Sequence, residues 1–257
     1  MSELNRSVEI LADANRVVVL TGAGMSAESG VPTFRDALDG YWSQLEPQEL
    51  ATPGAFDENP SMVFGWYLSR VRALQRVKPH HGYDALVSME SHFGALPVVT
   101  QNVDGMHERS GSGYVVELHG SLTRFVCRDR GHLYPHDKVI ALAESETDEV
   151  PPPECEICGD LVRPGVVWFG EALPDEAVRT AGELVDQADV VLVVGTSSVV
   201  YPAAELPYRA MAGGARVIEV NPKETPLSTE VDISWRDKAG RALSLMSERL
   251  AADGARA

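Results

Sequence analysis

Four short segments place reactive or ligand-binding side chains at spacings that suit chemistry. Gly22-Ala23-Gly24-Met25-Ser26-Ala27 fits G-x-G-x-x-A and directly follows the β-branched run RVVVL at 16–20. Glycines so spaced let backbone N–H groups approach a pyrophosphate, and a helix starting there points its positive end at it. The same pattern also serves as a tight structural turn. Gln101, Asn102 and Asp104 follow an apolar run at 96–100. At the carboxyl end of a parallel strand they face the crevice where α/β sheets bind ligands, although Asn-x-Asp-Gly is by itself a common turn. His119 follows a short strand at 114–117. An imidazole with pKa near ~6.5 is able to take a proton at neutral pH; a structural histidine fits a strand end equally well. Cys155-x-x-Cys158 has the spacing of a zinc knuckle.

The elements that must position these groups follow from periodicity. Apolar residues at helical spacing predict helices over 3–14, 60–75, 83–91, 176–187, 203–211 and 239–250. Apolar or β-branched runs predict strands over 16–20, 96–100, 114–117, 189–194 and 216–220. Strands bounded by helices imply an α/β doubly wound parallel sheet. Thr196, Ser197 and Asn221 then follow strands and offer groups to a phosphate or ribose, while also suiting helix N-caps. The segment 126–163 departs in composition. It holds every cysteine, Pro151 to Pro153 and an acidic run at 144–149, and reads as a small loop-rich insert. An ordinary dinucleotide-binding fold would show an acidic residue at a strand end about 20 residues after the glycines. Instead the chain continues as Glu28-Ser29-Gly30-Val31-Pro32-Thr33-Phe34-Arg35-Asp36, a hinged loop suited to a lid.

Composition excludes some partners. The 257 residues carry a net charge of −16, which argues against direct nucleic-acid binding, since phosphate contacts need clustered Lys and Arg. The apolar runs are strand-length, well short of the roughly 18 residues of a membrane span. The first residues lack a basic segment followed by an apolar one. Three cysteines, an odd number, argue against a disulfide scaffold, so a reducing cytoplasm is expected.

Seven segments taken together resemble the sirtuin family of NAD-dependent protein-lysine deacylases. They are GAGMSAESGVPTFRD (22–36), TQNVDGMH (100–107), ELHGS (117–121), CEICG (155–159), RPGVVWFGE (163–171), GTSSVVYPAAELP (195–207) and EVNPKETP (219–226). The resemblance implies a Rossmann-like domain (1–36, 79–125, 164–257) and a small domain made of a helical insert (37–78) and a zinc-binding insert (126–163). It implies that NAD is consumed: the acyl-lysine amide oxygen attacks the anomeric ribose carbon as nicotinamide leaves. A base then helps a ribose hydroxyl attack the acyl carbon, giving free lysine, nicotinamide and an O-acyl-ADP-ribose.

By resemblance His119 is that base, with Asn102 as its catalytic companion. Gly22, Ala23, Gly24, Ser26, Ala27, Phe34, Arg35, Trp42, Gln101, Val103, Asp104, Gly195, Thr196, Ser197, Asn221, Pro222, Lys223 and Ala239 surround NAD. Phe34 shields the reacting ribose face, and Arg35 stays near the phosphates. Val166, Trp168, Phe169 and Gly170, with the segment 199–202, hold an acyl-lysine protein or peptide as an added strand; the two aromatics are otherwise core residues. Tyr67 and Arg70, three apart on a helix, match the Tyr-x-x-Arg of the subgroup that removes succinyl and malonyl groups. A carboxylate entering an apolar channel needs such a cation and hydroxyl donor; the alternative is a solvated helix face. The family's upstream Cys-x-x-Cys is here Cys127-Arg128-Asp129-Arg130. Arginine does not ligate zinc, so the fourth ligand is His132, or water or Asp129, or the metal is lost. Two other functions use the same parts: mono-ADP-ribosyl transfer, and non-catalytic sensing of NAD or ADP-ribose. A hydride-transferring dehydrogenase lacks its acidic ribose ligand.

Overall fold

The computed structural model describes residues 2–31, 50–145 and 147–254. Phe34, Arg35 and Trp42 lie outside the described residues.

Six strands form a parallel sheet: β1 (Val17–Thr21), β2 (Val98–Thr100), β3 (Val115–Glu117), β7 (Val190–Val194), β8 (Arg216–Val220) and β9 (Ile233–Trp235), in the order β3-β2-β1-β7-β8-β9. Both β1 and β7 are buried along their whole length, as expected of strands covered on both faces. Their side chains alternate between two cores. Val17 and Val19 join Val8 and Leu11 of α1 (Glu3–Ala12), Tyr83 and Leu86 of α5 (His81–Phe93), and Leu243 and Met246 of α10 (Ala239–Gly254). Val18 and Leu20 join Ala181 and Val185 of α8 (Asp175–Asp186) and Ala210 of α9 (Leu206–Ala212). The order reverses between β1 and β7, so the carboxyl ends of these two strands border the crevice where such sheets bind ligands. The chain fills it with α2 (Ala23–Ala27) after β1.

The second sheet is antiparallel, ordered β5-β4-β6: β5 (Leu133–Tyr134), β4 (Gly120–Cys127) and β6 (Val162–Val166). It spans residues 120–166, wider than the insert bounds 126–163. Its core joins Leu122 and Phe125 to Phe56 of α3 (Pro53–Glu58), to Phe64, Trp66 and Tyr67 of α4 (Pro60–Arg76), and to Val139 of α7 (His136–Ala143). The helix α7 corrects the loop-rich expectation. Its Val139 and Ala143 are buried four residues apart, but flanking prolines and acids mask so short a period. The expected helix 203–211 is a 3₁₀ turn, Ala203–Glu205, followed by α9. The remaining short helix, α6 (Met106–Ser110), starts where Gly105 takes a positive φ of 66°. No helix among the described residues is long and apolar enough to cross a membrane.

Candidate active site

At the crevice the β1–α2 turn presses against the turn after β7. The Gly24 N–H donates to the Gly195 carbonyl at 2.7 Å, and a Cβ at Gly24 would stand 2.6 Å from that oxygen. Gly195 itself has φ +62°, and a Cβ there would meet Met25 N at 2.3 Å. These glycines are thus required by the apposition of two loops before any ligand is considered. Gln101 at the end of β2 reaches across, its Nε2 donating to Thr196 Oγ1 at 3.1 Å. The Asn221 Nδ2 donates to the Thr196 carbonyl at 2.7 Å, which ties the turn after β8 into the same rim. Ala239 is buried at the start of α10, and the neighbouring Gly240 N–H donates to Glu28 Oε1 at 2.9 Å. Ala23, Ser197 and Val103 are half-buried along this rim, whereas Ala27, Pro222 and Lys223 are exposed.

Below the rim lies a buried polar cluster. Asn102 Nδ2 donates to the Gly22 carbonyl at 3.0 Å and to Ser26 Oγ at 2.9 Å. Ser26 Oγ donates to Asp104 Oδ2 at 2.5 Å and lies 3.0 Å from the Tyr83 hydroxyl. Asp104 Oδ1 accepts from the Met106 N–H at 2.9 Å. Burial pushes the Asp104 carboxyl upward, against the hydrogen bonds from Ser26 and Met106 that favour its ionised form. A neighbouring chain links His107 Nε2 to Thr21 Oγ1 at 3.0 Å and Thr21 Oγ1 to Thr100 Oγ1 at 2.9 Å. Burial lowers the His107 pKa to about 3, so this ring is neutral. The sequence patterns marked Ser26, Asn102 and Asp104. They gave no role to Thr21, Tyr83, Thr100 and His107, although the last two end the segment TQNVDGMH (100–107), because one polar residue in a strand or helix leaves no periodic signal.

His119 stands where the chain passes from the first sheet into the second. The residue before it donates its N–H to the Thr100 carbonyl at 2.9 Å, and its own carbonyl accepts from Val167 N at 2.8 Å. The ring nitrogen Nδ1 lies 3.0 Å from the Gln101 carbonyl. A carbonyl only accepts, so Nδ1 carries the hydrogen. Burial lowers the His119 pKa, and the bond to Gln101 only partly opposes this. A neutral ring with its hydrogen on Nδ1 leaves the Nε2 lone pair free to take a proton. The geometry therefore suits a general base.

Past His119, the Phe169 N–H donates to the Ala51 carbonyl at 2.8 Å, and Gly170 follows at φ +90°. Phe169, Val199, Val200 and Tyr201 are exposed apolar side chains in the two segments expected to hold a peptide, whereas Val166 and Trp168 are buried. The Trp168 Nε1 donates to the Tyr67 hydroxyl at 3.0 Å. Arg70, one turn along α4, places its guanidinium 5.2 Å from the centre of the Trp66 ring. Its charge is felt by Tyr67 and Asp104, which oppose the lowering of its pKa by burial. Tyr67 is buried and Arg70 half-buried, so the pair is not a fully solvated helix face.

Four side chains that could hold a metal come together without a fourth cysteine. Ligand atoms of Cys127, His132, Cys155 and Cys158 all lie within 4.8 Å of one another. Tetrahedral zinc with sulfur at ~2.3 Å and nitrogen at ~2.0 Å puts neighbouring ligands roughly 3.5–3.8 Å apart. Cys158 Sγ is 3.6 Å from Cys127 Sγ, and Cys155 Sγ is 3.7 Å from His132 Nδ1. The turn after β4 brings His132 in: Cys127 N–H donates to the His132 carbonyl at 2.9 Å, and His132 N–H to Cys127 Sγ at 3.2 Å. Arg130 and Asp129 point outward as exposed residues. Three thiolates and an imidazole fit structural zinc. Replacing His132 with alanine is expected to lower zinc retained after a chelator wash to well under one per chain, by elemental analysis. Full retention would assign the fourth ligand elsewhere.

A parallel sheet with a glycine turn at its switch point, joined at an imidazole to a second sheet that carries a possible metal-ligand cluster, is an architecture suited to binding a nucleotide beside a base. The chain belongs to the Sir2 family, whose model matches residues 22–202. It is 49% identical over 237 residues to an NAD-dependent protein deacylase of Mycobacterium tuberculosis, covering 92% of this chain and 98% of that one. It is 47% identical over 234 residues to one of Aquifex aeolicus, covering 91% and 95%. A crystal structure of a Sir2 homologue in complex with NAD superposes with a TM-score of 0.87 at 41% identity, over 97% of this chain and 94% of that one.

Proposed function

We propose that this NAD-dependent protein deacylase acts preferentially on lysines whose acyl group ends in a carboxylate, the succinyl and malonyl groups. The reading is supported chiefly by one pairing on α4. Tyr67 is buried and Arg70 half-buried one turn further on, and the charge of Asp104 in the polar cluster under the NAD rim acts on Arg70. An acyl chain passing His119 toward that cluster meets a hydroxyl and a cation. A terminal carboxylate takes a hydrogen bond from the hydroxyl and the charge of the cation, whereas an acetyl group offers neither of them an anionic partner.

The chemistry falls to residues already placed. The rim from Gly22 to Asn221 takes NAD, and the acyl oxygen meets the ribose as nicotinamide leaves. His119 Nε2 then accepts the proton of the ribose hydroxyl that attacks the acyl carbon. Direct nucleic-acid binding is not part of the reading, given the charge of −16, and a reducing cytoplasm suits three thiols free to hold zinc.

Replacing Arg70 with methionine keeps the length of the side chain and removes its charge. Truncating one partner of a buried charge pair costs about 2–5 kcal/mol. The variant should therefore lose about a hundredfold in kcat/KM on a succinyl-lysine peptide, and far less on an acetyl-lysine peptide. Equal losses on both would refute the charged-acyl assignment.

A further inference from the structure

The Trp168 indole N–H is a donor only, so in its 3.0 Å bond with the Tyr67 hydroxyl the phenol oxygen accepts. Among the described residues this is the one hydrogen bond of that hydroxyl. Tyr67 is 2% exposed, and burial pushes its pKa well up, so the phenol keeps its proton. An oxygen whose acceptor side is held by Trp168 has a single hydrogen left to give. We propose that Trp168 is a positioning residue that turns the Tyr67 hydroxyl into a donor for the acyl carboxylate, and so sets acyl-chain selectivity. The inference rests on the charged-acyl reading above.

The surroundings of Trp168 fix the direction of its N–H. Its backbone N–H donates to Glu171 Oε2 at 2.8 Å, and the Phe56 ring lies 5.2 Å from its own. The Arg163 guanidinium covers the indole face, 3.4 Å from the ring centre. Arg163 is held in turn by both oxygens of Glu171, at 2.5 and 2.9 Å, and by the Val166 carbonyl at 2.9 Å. The ion pair thus immobilises the ring, and a cation on the indole face draws electron density from the ring and strengthens its N–H as a donor. A phenylalanine here would fill the space but leave the Tyr67 hydroxyl free to rotate.

The test compares Trp168→Phe, Tyr67→Phe and the double variant on succinyl-lysine and acetyl-lysine peptides of one sequence. The readout is the ratio of kcat/KM between the two acyl groups, split into KM and kcat. Trp168→Phe should lower the succinyl-to-acetyl ratio about tenfold, mainly through the succinyl KM, and should lower it no further when Tyr67→Phe is already present. Placing 3-benzothienylalanine at 168 keeps the two-ring shape and removes only the N–H, so it should reproduce the drop even if Trp168→Phe folds poorly. A ratio moved by Tyr67→Phe but untouched by either change at Trp168 overturns this inference alone. So do effects that multiply in the double variant. A ratio that neither Tyr67→Phe nor Arg70→Met moves overturns the charged-acyl reading and the inference with it.

Discussion

Replacing His119 with tyrosine should stop deacylation while the protein still folds and binds NAD. A phenol of similar size fits the junction between the sheets, but near pH 7 it is protonated and accepts no proton. Losing a positioned general base costs about 10²–10⁴-fold in rate. Calorimetric NAD binding and the thermal unfolding temperature should stay close to those of the native chain while kcat for release of free-lysine peptide collapses. The native enzyme should also show a telling pH profile. The base works unprotonated, and burial lowers its pKa. The rate should therefore hold as pH falls through the ordinary histidine range and decline only below it. An acid limb at or above the ordinary range would contradict a buried imidazole base. So would normal turnover by the tyrosine variant.

The second large effect is expected at Asn102. Its amide ties the β1–α2 turn to the end of β2 through the Gly22 carbonyl and Ser26 Oγ. Alanine leaves both without that donor inside a buried cluster, at about 1–3 kcal/mol of stability. The catalytic loss should be larger. Ser26, Asp104 and the glycine turn lose their common fixed point, and removing one preorganised donor from an active site typically costs about 10²–10³-fold in kcat. The expected pattern is a kcat reduced by that factor with a modest fall in unfolding temperature. A variant that turns over within a fewfold of the native rate would make Asn102 a scaffold residue.

Much of this site is written locally in the chain. The run VVVLT and the glycines after it define β1 and its turn, because a strand buried on both faces must be continuously apolar and a close apposition of loops excludes a Cβ. Gln101, Asn102 and Asp104 are legible for a similar reason, since polar residues directly after an apolar run fall at a strand's carboxyl end. The cysteine pair at 155 and 158 carries its own spacing, but the choice of His132 does not. It depends on the tightness of the turn after β4, which sequence separation leaves open. Tyr83, His107, Thr21 and Thr100 come together only because β1 and β2 pair in the register Thr21↔Thr100 and α5 packs over them. The bond from Trp168 to Tyr67 joins residues 101 positions apart, and no local pattern announces it.

The most direct test of the whole account is a product analysis. The native protein is incubated with NAD and a succinyl-lysine peptide, and every product is identified by mass. Nicotinamide, free-lysine peptide and succinyl-ADP-ribose should appear in equal amounts. Nicotinamide released while ADP-ribose accumulates on protein and the peptide keeps its acyl group would contradict it.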